Sequence, residues 1–166
     1  MAENVQNLNQ FAQTVLVGQP DWSVNQNIVT VQIYASSSGG ASLVAGQGFK
    51  FVDQTGDMPV VDIVSGVTDK ADGIAIHRMK GDTFVAGQII ELALAGSTIW
   101  MQASAAIARG ASVQLNPTSG GTFPTVATLA SLGTNVSIGK SIDKPTGAGA
   151  MTRVYVNPQD ANLSAY

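Results

Sequence analysis

The sequence predicts a mainly β protein: a compact barrel or sandwich of short strands, preceded by an N-terminal arm or short helix over residues 1–20. Three observations predict it. Runs rich in β-branched residues recur at roughly ten-residue spacing. The segments between them hold Gly, Pro, Asp or Asn, the residues that turns select. No long helical pattern separates the runs, which argues against a parallel sheet with crossover helices.

Residues 1–20 differ from the rest. Val5, Leu8, Phe11 or Ala12, Val15 and Leu16 recur at steps of three to four, with Asn and Gln between them. That spacing fits a helix capped by Asn4; an extended arm carrying the same residues fits equally. Pro20 and Asp21 close the segment, and residues 21–166 form the β domain. From Ile28 the period is two: Ile28, Thr30, Gln32 and Tyr34 alternate with Val29, Val31 and Ile33. Ser36 to Gly40 is a loop. Further strands are expected over residues 48–52, 60–64, 73–78, 88–95, 98–102, 111–115, 136–142 and 152–156. Residues 104–110 are expected to form one helical turn ending at Gly110.

One short repeat is present. Val44-Ala45-Gly46-Gln47 recurs as Val85-Ala86-Gly87-Gln88, and Ala108-Arg109-Gly110-Ala111 is a looser echo. Glycine before a strand supplies the positive φ of a tight turn, so turn chemistry alone accounts for the match. Internal duplication accounts for it too.

The totals narrow the function. The 166 residues are 45% hydrophobic, yet only 11% are charged, and the net charge is −3. Ample apolar content with little charge is the reverse of a disordered chain. It leaves much of the surface neutral, and neutral surfaces associate. No run of Lys or Arg exists, which argues against nucleic acid as a partner. The absence of cysteine removes disulfide and thiolate chemistry. No apolar run approaches the ~20 residues of a membrane span, so no membrane partner is expected. Met1-Ala2-Glu3-Asn4 lacks the basic and apolar regions of a secretion signal, and synthesis in a cytoplasm is expected.

No catalytic or metal signature emerges. His77, the single histidine, lies in a strand-like run, and its neighbours Asp72 and Ser65 belong to no motif that would make it a base. One His and no Cys leave a zinc site dependent on at least two carboxylates. Asp53 to Asp57 looks like the start of a calcium loop but lacks its ligand spacing and closing Glu. Gly139-Lys140-Ser141 resembles the end of a phosphate-binding loop, but five residues separate Gly133 from Gly139 where four are needed, and Pro145 follows. Asn135 and Asn162 open glycan-acceptor triplets that carry no weight without a secretion signal. No cofactor is expected. Trp100 is placed in the core. Trp22, in a turn-like stretch, is either a lid on the core or an interface anchor.

A broader order runs through the chain. It comprises Asp72-Gly73-Ile74-Ala75, Phe84 to Gln88, Glu91 to Gly96, Ile107 to Val113, Ile138 to Asp143, Gly147 to Ala150 and Thr152 to Val156. This order, over about residues 43–157, resembles the capsid decoration proteins of tailed bacteriophages, also called cement or head-stabilising proteins. The resemblance implies a β barrel or sandwich, usually trimeric, on the exterior of a virion. Its partners would be the major capsid protein and two further copies of itself, and it would stabilise the expanded shell by bridging capsomers. Val5, Leu8 and Phe11 of the arm, with Trp22, are the expected capsid contacts. Three readings compete with it: another minor virion part of the tail or fibre base, a carbohydrate-binding β-sandwich with Trp22 as its platform, and a glycosidase-like enzyme with two converging carboxylates.

Overall fold

The computed structural model describes residues 16–34, 43–52, 57–64, 71–76, 83–116, 124–129 and 137–159. Every regular element among them is a strand. The expected mainly β architecture is what folds, in the form of two closed five-stranded barrels in tandem.

The first barrel uses β1 (Ile28–Ile33), β3 (Gly48–Val52), β4 (Val60–Ile63), β5 (Gly73–Ala75) and β7 (Ile89–Ala93). They close in the order β1-β4-β3-β5-β7. β2 (Leu43–Val44) and β6 (Thr83–Phe84) form a small antiparallel ladder of their own. The second barrel uses β8 (Thr98–Ala103), β9 (Ser112–Asn116), β10 (Thr125–Thr128), β11 (Ser137–Ser141) and β12 (Met151–Gln159), closed in the order β10-β8-β12-β11-β9. Closure leaves no full-length sheet edge exposed.

Strand alternation sends one set of side chains inward. Val31, Ile33, Phe49, Val61 and Leu92 fill the first barrel, and Ile99, Met101, Val113, Val126 and Val154 fill the second. The second interior also holds a polar pair. Ser141 Oγ and Thr152 Oγ1 stand 2.7 Å apart and fully buried, each meeting the other's hydrogen-bonding need.

The two barrels are copies of one another. In each, the first strand pairs parallel with the third and antiparallel with the fifth: β1 with β4 and β7, β8 with β10 and β12. The registers agree pair by pair. Val29↔Leu92 corresponds to Ile99↔Val154, Gln32↔Val60 to Gln102↔Thr125, Phe51↔Val61 to Leu115↔Val126, and Phe49↔Gly73 to Val113↔Gly139. Even a side-chain bond repeats. Gln32 Nε2 donates to the Gly87 carbonyl at 3.0 Å, and Gln102 Nε2 to the Gly149 carbonyl at 3.4 Å. The closer match in the sequence, Val44–Gln47 with Val85–Gln88, lies within the first barrel and is turn chemistry used twice; only the looser echo at Ala108–Ala111 stands at the position equivalent to Val44–Gln47.

That turn has a mechanism. In Val44–Gln47 and Val85–Gln88 the glycine takes φ near +80°, which costs a residue without a Cβ little. The glutamine N–H returns to the carbonyl three residues back, and its Oε1 accepts that residue's own N–H at 2.7 and 3.0 Å. Leu16-Val17-Gly18-Gln19 closes in the same way, with Leu16 N–H donating to Gln19 Oε1 at 3.1 Å. All three Gly-Gln dipeptides of the chain adopt this turn.

Two expectations need correction. Residues 104–110 form no helical turn. Ser104 and Ile107 give their N–H groups to the carbonyls of Val126 and Pro145, and Ile107 is buried in the second barrel's core, so the segment is drawn inward as an irregular bend. Trp100 is not in the core. It lies at an outward position of β8, half-buried. Residues 1–15, which carry the predicted helix or arm, lie outside the described residues, as do His77, Ser65, Asp53, Asn135 and Asn162.

Candidate functional site

Residues 16–21 lead from the N-terminal segment and are anchored between the barrels. Gly18 donates its N–H to the Trp100 carbonyl at 2.7 Å, Trp100 returns a bond to Gln19 at 2.8 Å, and Asp21 bonds Thr98 at 2.8 Å. The segment thus extends the second barrel along the side of β8. Gly18 presses so closely on the first barrel that a Cβ there would stand 2.7 Å from the Gly46 nitrogen.

An ionic clamp on the outer face of β12 secures this anchor. Arg153 donates from Nη2 to Asp143 Oδ1 at 2.7 Å and from Nε to Asp143 Oδ2 at 3.0 Å, a bidentate pair. Its Nη1 reaches Asp21 Oδ2 at 3.4 Å, and its guanidinium lies 5.6 Å from the centre of the Trp100 ring. This accounts for Trp100 facing outward: its ring is the stacking surface for the cation that holds Asp21. Asp143 is held below the ordinary carboxylate range chiefly by the Arg153 hydrogen bonds. Asp21 is lowered as well, first by the Ser23 hydroxyl and then by Arg153, and Arg153 is raised in return, mainly by Asp143.

A pH dependence follows. A carboxylate whose folded pKa is depressed contributes stability that is complete above its unfolded value, near 3.9, and fades as pH falls through the lower folded value. Asp143→Asn is expected to lower stability near pH 7 by about 1 kcal/mol, the size set by a pair left partly in solvent. The gap to the parent protein should close below about pH 4, which thermal melts at stepped pH would measure.

Beyond the anchor the chain turns outward. Ser23 N–H and Oγ both bond Asp21 Oδ1, and this turn presents Trp22, 67% exposed, and Val24, also exposed. Trp22 is no lid on the core. Val5, Leu8 and Phe11 lie outside the described residues. Other large exposed apolar side chains are Tyr34, Phe51, Met58, Val85, Ile89 and Tyr155. All but Tyr155 belong to the first barrel or its flanks.

The residues that raised chemical possibilities have structural roles where they are described. Asp72 Oδ2 accepts the Phe51 N–H at 2.9 Å across the barrel wall. Gly139-Lys140-Ser141 lies within β11, hydrogen-bonded on both sides to β9 and β12, and supplies no loop for a phosphate. Among the described residues no group of three or more His, Asp or Glu side chains is placed to hold a metal ion. A shallow open depression of about 140 Å³ is lined by Ser112, Ser137, Gly139, Lys140, Tyr155 and Asn157.

No protein-family model and no curated protein matches the chain. Among solved structures it is similar to the N base of head fiber gp8.5 of bacteriophage phi29. The identity is 11% and the TM-score 0.48, over 80% of this chain and 95% of that one.

Proposed function

We propose that the chain is a structural virion protein. In this reading it binds the outer surface of a phage capsid and stabilises the expanded shell by bridging capsomers as a homotrimer. The observation that supports it most is the arm's root: residues 16–21 clamped by Arg153 to the second barrel, with Trp22 and Val24 exposed directly after it. A tryptophan presented on a braced turn loses little entropy when it is buried by a partner, which is what an anchor residue needs. The low charge of the chain and the sequence order shared with decoration proteins point the same way. Three modest contacts in one trimer act at high effective concentration, and binding the expanded state alone stabilises that state by mass action.

The test is co-sedimentation with expanded and unexpanded capsids of the phage that encodes the chain. The full chain should pellet with expanded shells only. Trp22→Ala should weaken that binding about thirtyfold or more, the loss that defines a hot-spot residue. Deleting residues 2–15 should abolish it and leave the melting temperature unchanged. No binding to either shell, or only a few copies per particle, would overturn the reading in favour of another virion part.

A further inference from the structure

The duplication lets each repeat be compared with its twin, and the surfaces differ in a way that defines an interface. The first barrel docks on the second through the outer wall that carries Gly46, Gly48, Ile74 and Ala93. A Cβ added to Gly48 would stand 3.0 Å from Leu115 Cδ2, and one on Gly46 3.1 Å from Pro124 Cγ. Ile74 and Ala93 join the second barrel's core cluster. The receiving face on the second barrel therefore includes Leu115 and Pro124, both buried.

The register gives the counterparts of both faces. Gly46, Gly48, Ile74 and Ala93 correspond to Gly110, Ser112, Lys140 and Tyr155 on the second barrel. Leu115 corresponds to Phe51 on the first barrel, and Pro124, the residue before the third strand, to Pro59. Each of these counterparts is uncovered to some degree. Ala93 is fully buried while Tyr155 is 44% exposed, and Leu115 is 6% exposed while Phe51 is 42%. Gly110, Lys140 and Pro59 are exposed, and Ser112 is half-buried. The chain thus ends in one docking face and one receiving face, each matched to a contact that the molecule already makes inside itself.

We infer that a second copy of this chain covers them: the Phe51–Pro59 face of one copy seats on the Ser112–Lys140–Tyr155 face of the next, head to tail, through the surfaces equivalent to the contact between the barrels, at a wider spacing because Ser112, Tyr155 and Phe51 stand where that contact has Gly48, Ala93 and Leu115. The chemistry suits the pairing. Phe51 meets Tyr155 across the shallow depression beside Ser112, and exposed Asp57 next to the receiving face is opposite in charge to Lys140. A contact of this kind uses two different surfaces, so it closes into a ring when the rotation allows, and every face in the ring is then covered. The inference rests on the duplication and does not depend on where the protein works.

Light scattering on single variants and on their mixture tests it. The full chain should give a discrete mass that is a whole multiple of 17.1 kDa. Phe51→Glu, which spoils only the receiving face, and Ser112→Arg, which spoils only the docking face, should each be monomeric with an unchanged melting temperature. Mixed in equal amounts, they should form a dimer, because one intact face remains on each partner. Pro59→Asp and Lys140→Glu serve as replacements should either variant fail to fold. A parent chain that stays monomeric at its solubility limit, a single variant that keeps the parent mass, or a mixture that stays monomeric would overturn the inference. Capsid co-sedimentation is a separate readout: a chain that assembles this way but ignores shells refutes the virion reading alone.

Discussion

Gly139→Ala is expected to be among the most damaging single-atom additions the chain can receive. Gly139 sits at a bulge in β11 with φ +151°, and a Cβ there would fall 1.8 Å from the Tyr155 carbonyl oxygen. The obstructing atoms are backbone atoms of β12, which cannot swing aside as the end of a side chain can. Relief requires β11 and β12 to part where they close the second barrel. The expected loss is at least about 3 kcal/mol, combining a forbidden backbone angle with broken ladder bonds. For a chain of this length that is roughly a 6–12 °C fall in melting temperature. Gly87→Ala is the control. Its φ is also positive, at +81°, but nothing lies within 4 Å of the added methyl. It should cost only the left-handed conformation, about 1–2 kcal/mol. Equal losses for the two variants would show that the β11–β12 approach is looser than described.

The contrast between these glycines shows what the sequence could and could not disclose. The turn at Gly87 was legible, because Gly-Gln before an apolar run is local chemistry. So were β1, β3, β4 and β8, each rich in β-branched or aromatic residues over four residues or more. β2 and β6 have two residues each and no period to detect. β10, Thr125-Val126-Ala127-Thr128, is short and weakly apolar, and it owes its place to a parallel partner far away in sequence. The duplication was visible only in the loose echo of Val44–Gln47 at Ala108–Ala111, since the closer match at Val85–Gln88 lies within the first barrel. Its proof lies in registers, which two sequences can share while Phe49 in one is Val113 in the other. The third Gly-Gln turn, at Gly18, was detectable by listing that dipeptide. At the candidate site, Trp22 stood out as the tryptophan of a turn. Arg153 did not, because its partners Asp143 and Asp21 meet it only in space.

Phe49→Ala tests whether the two repeats are one cooperative unit. Phe49 is among the largest fully buried side chains and fills the first barrel at the position that the smaller Val113 fills in the second. Its removal should cost about 3–5 kcal/mol, the range for a buried aromatic, against about 1.5–3 kcal/mol for Val113→Ala. The more telling quantity is where the loss is felt. Ile74, Ile76 and Ala93 of the first barrel belong to the second barrel's core cluster, and the first barrel's wall covers Leu115. If the first barrel unfolded alone, those apolar surfaces would be exposed together, and the anchor of residues 16–21 would lose the support at Gly46. The second barrel should therefore not outlive the first. In a Trp22→Phe background Trp100 is the only tryptophan, and its fluorescence reports the second barrel together with residues 16–21 paired to β8. Phe49→Ala, a change confined to the first barrel, should shift that signal and the far-ultraviolet dichroism by the same amount. A Trp100 transition that stays at its parent temperature while the dichroism falls early would mean that the repeats stand independently. The shared core would then be a contact rather than a condition of folding.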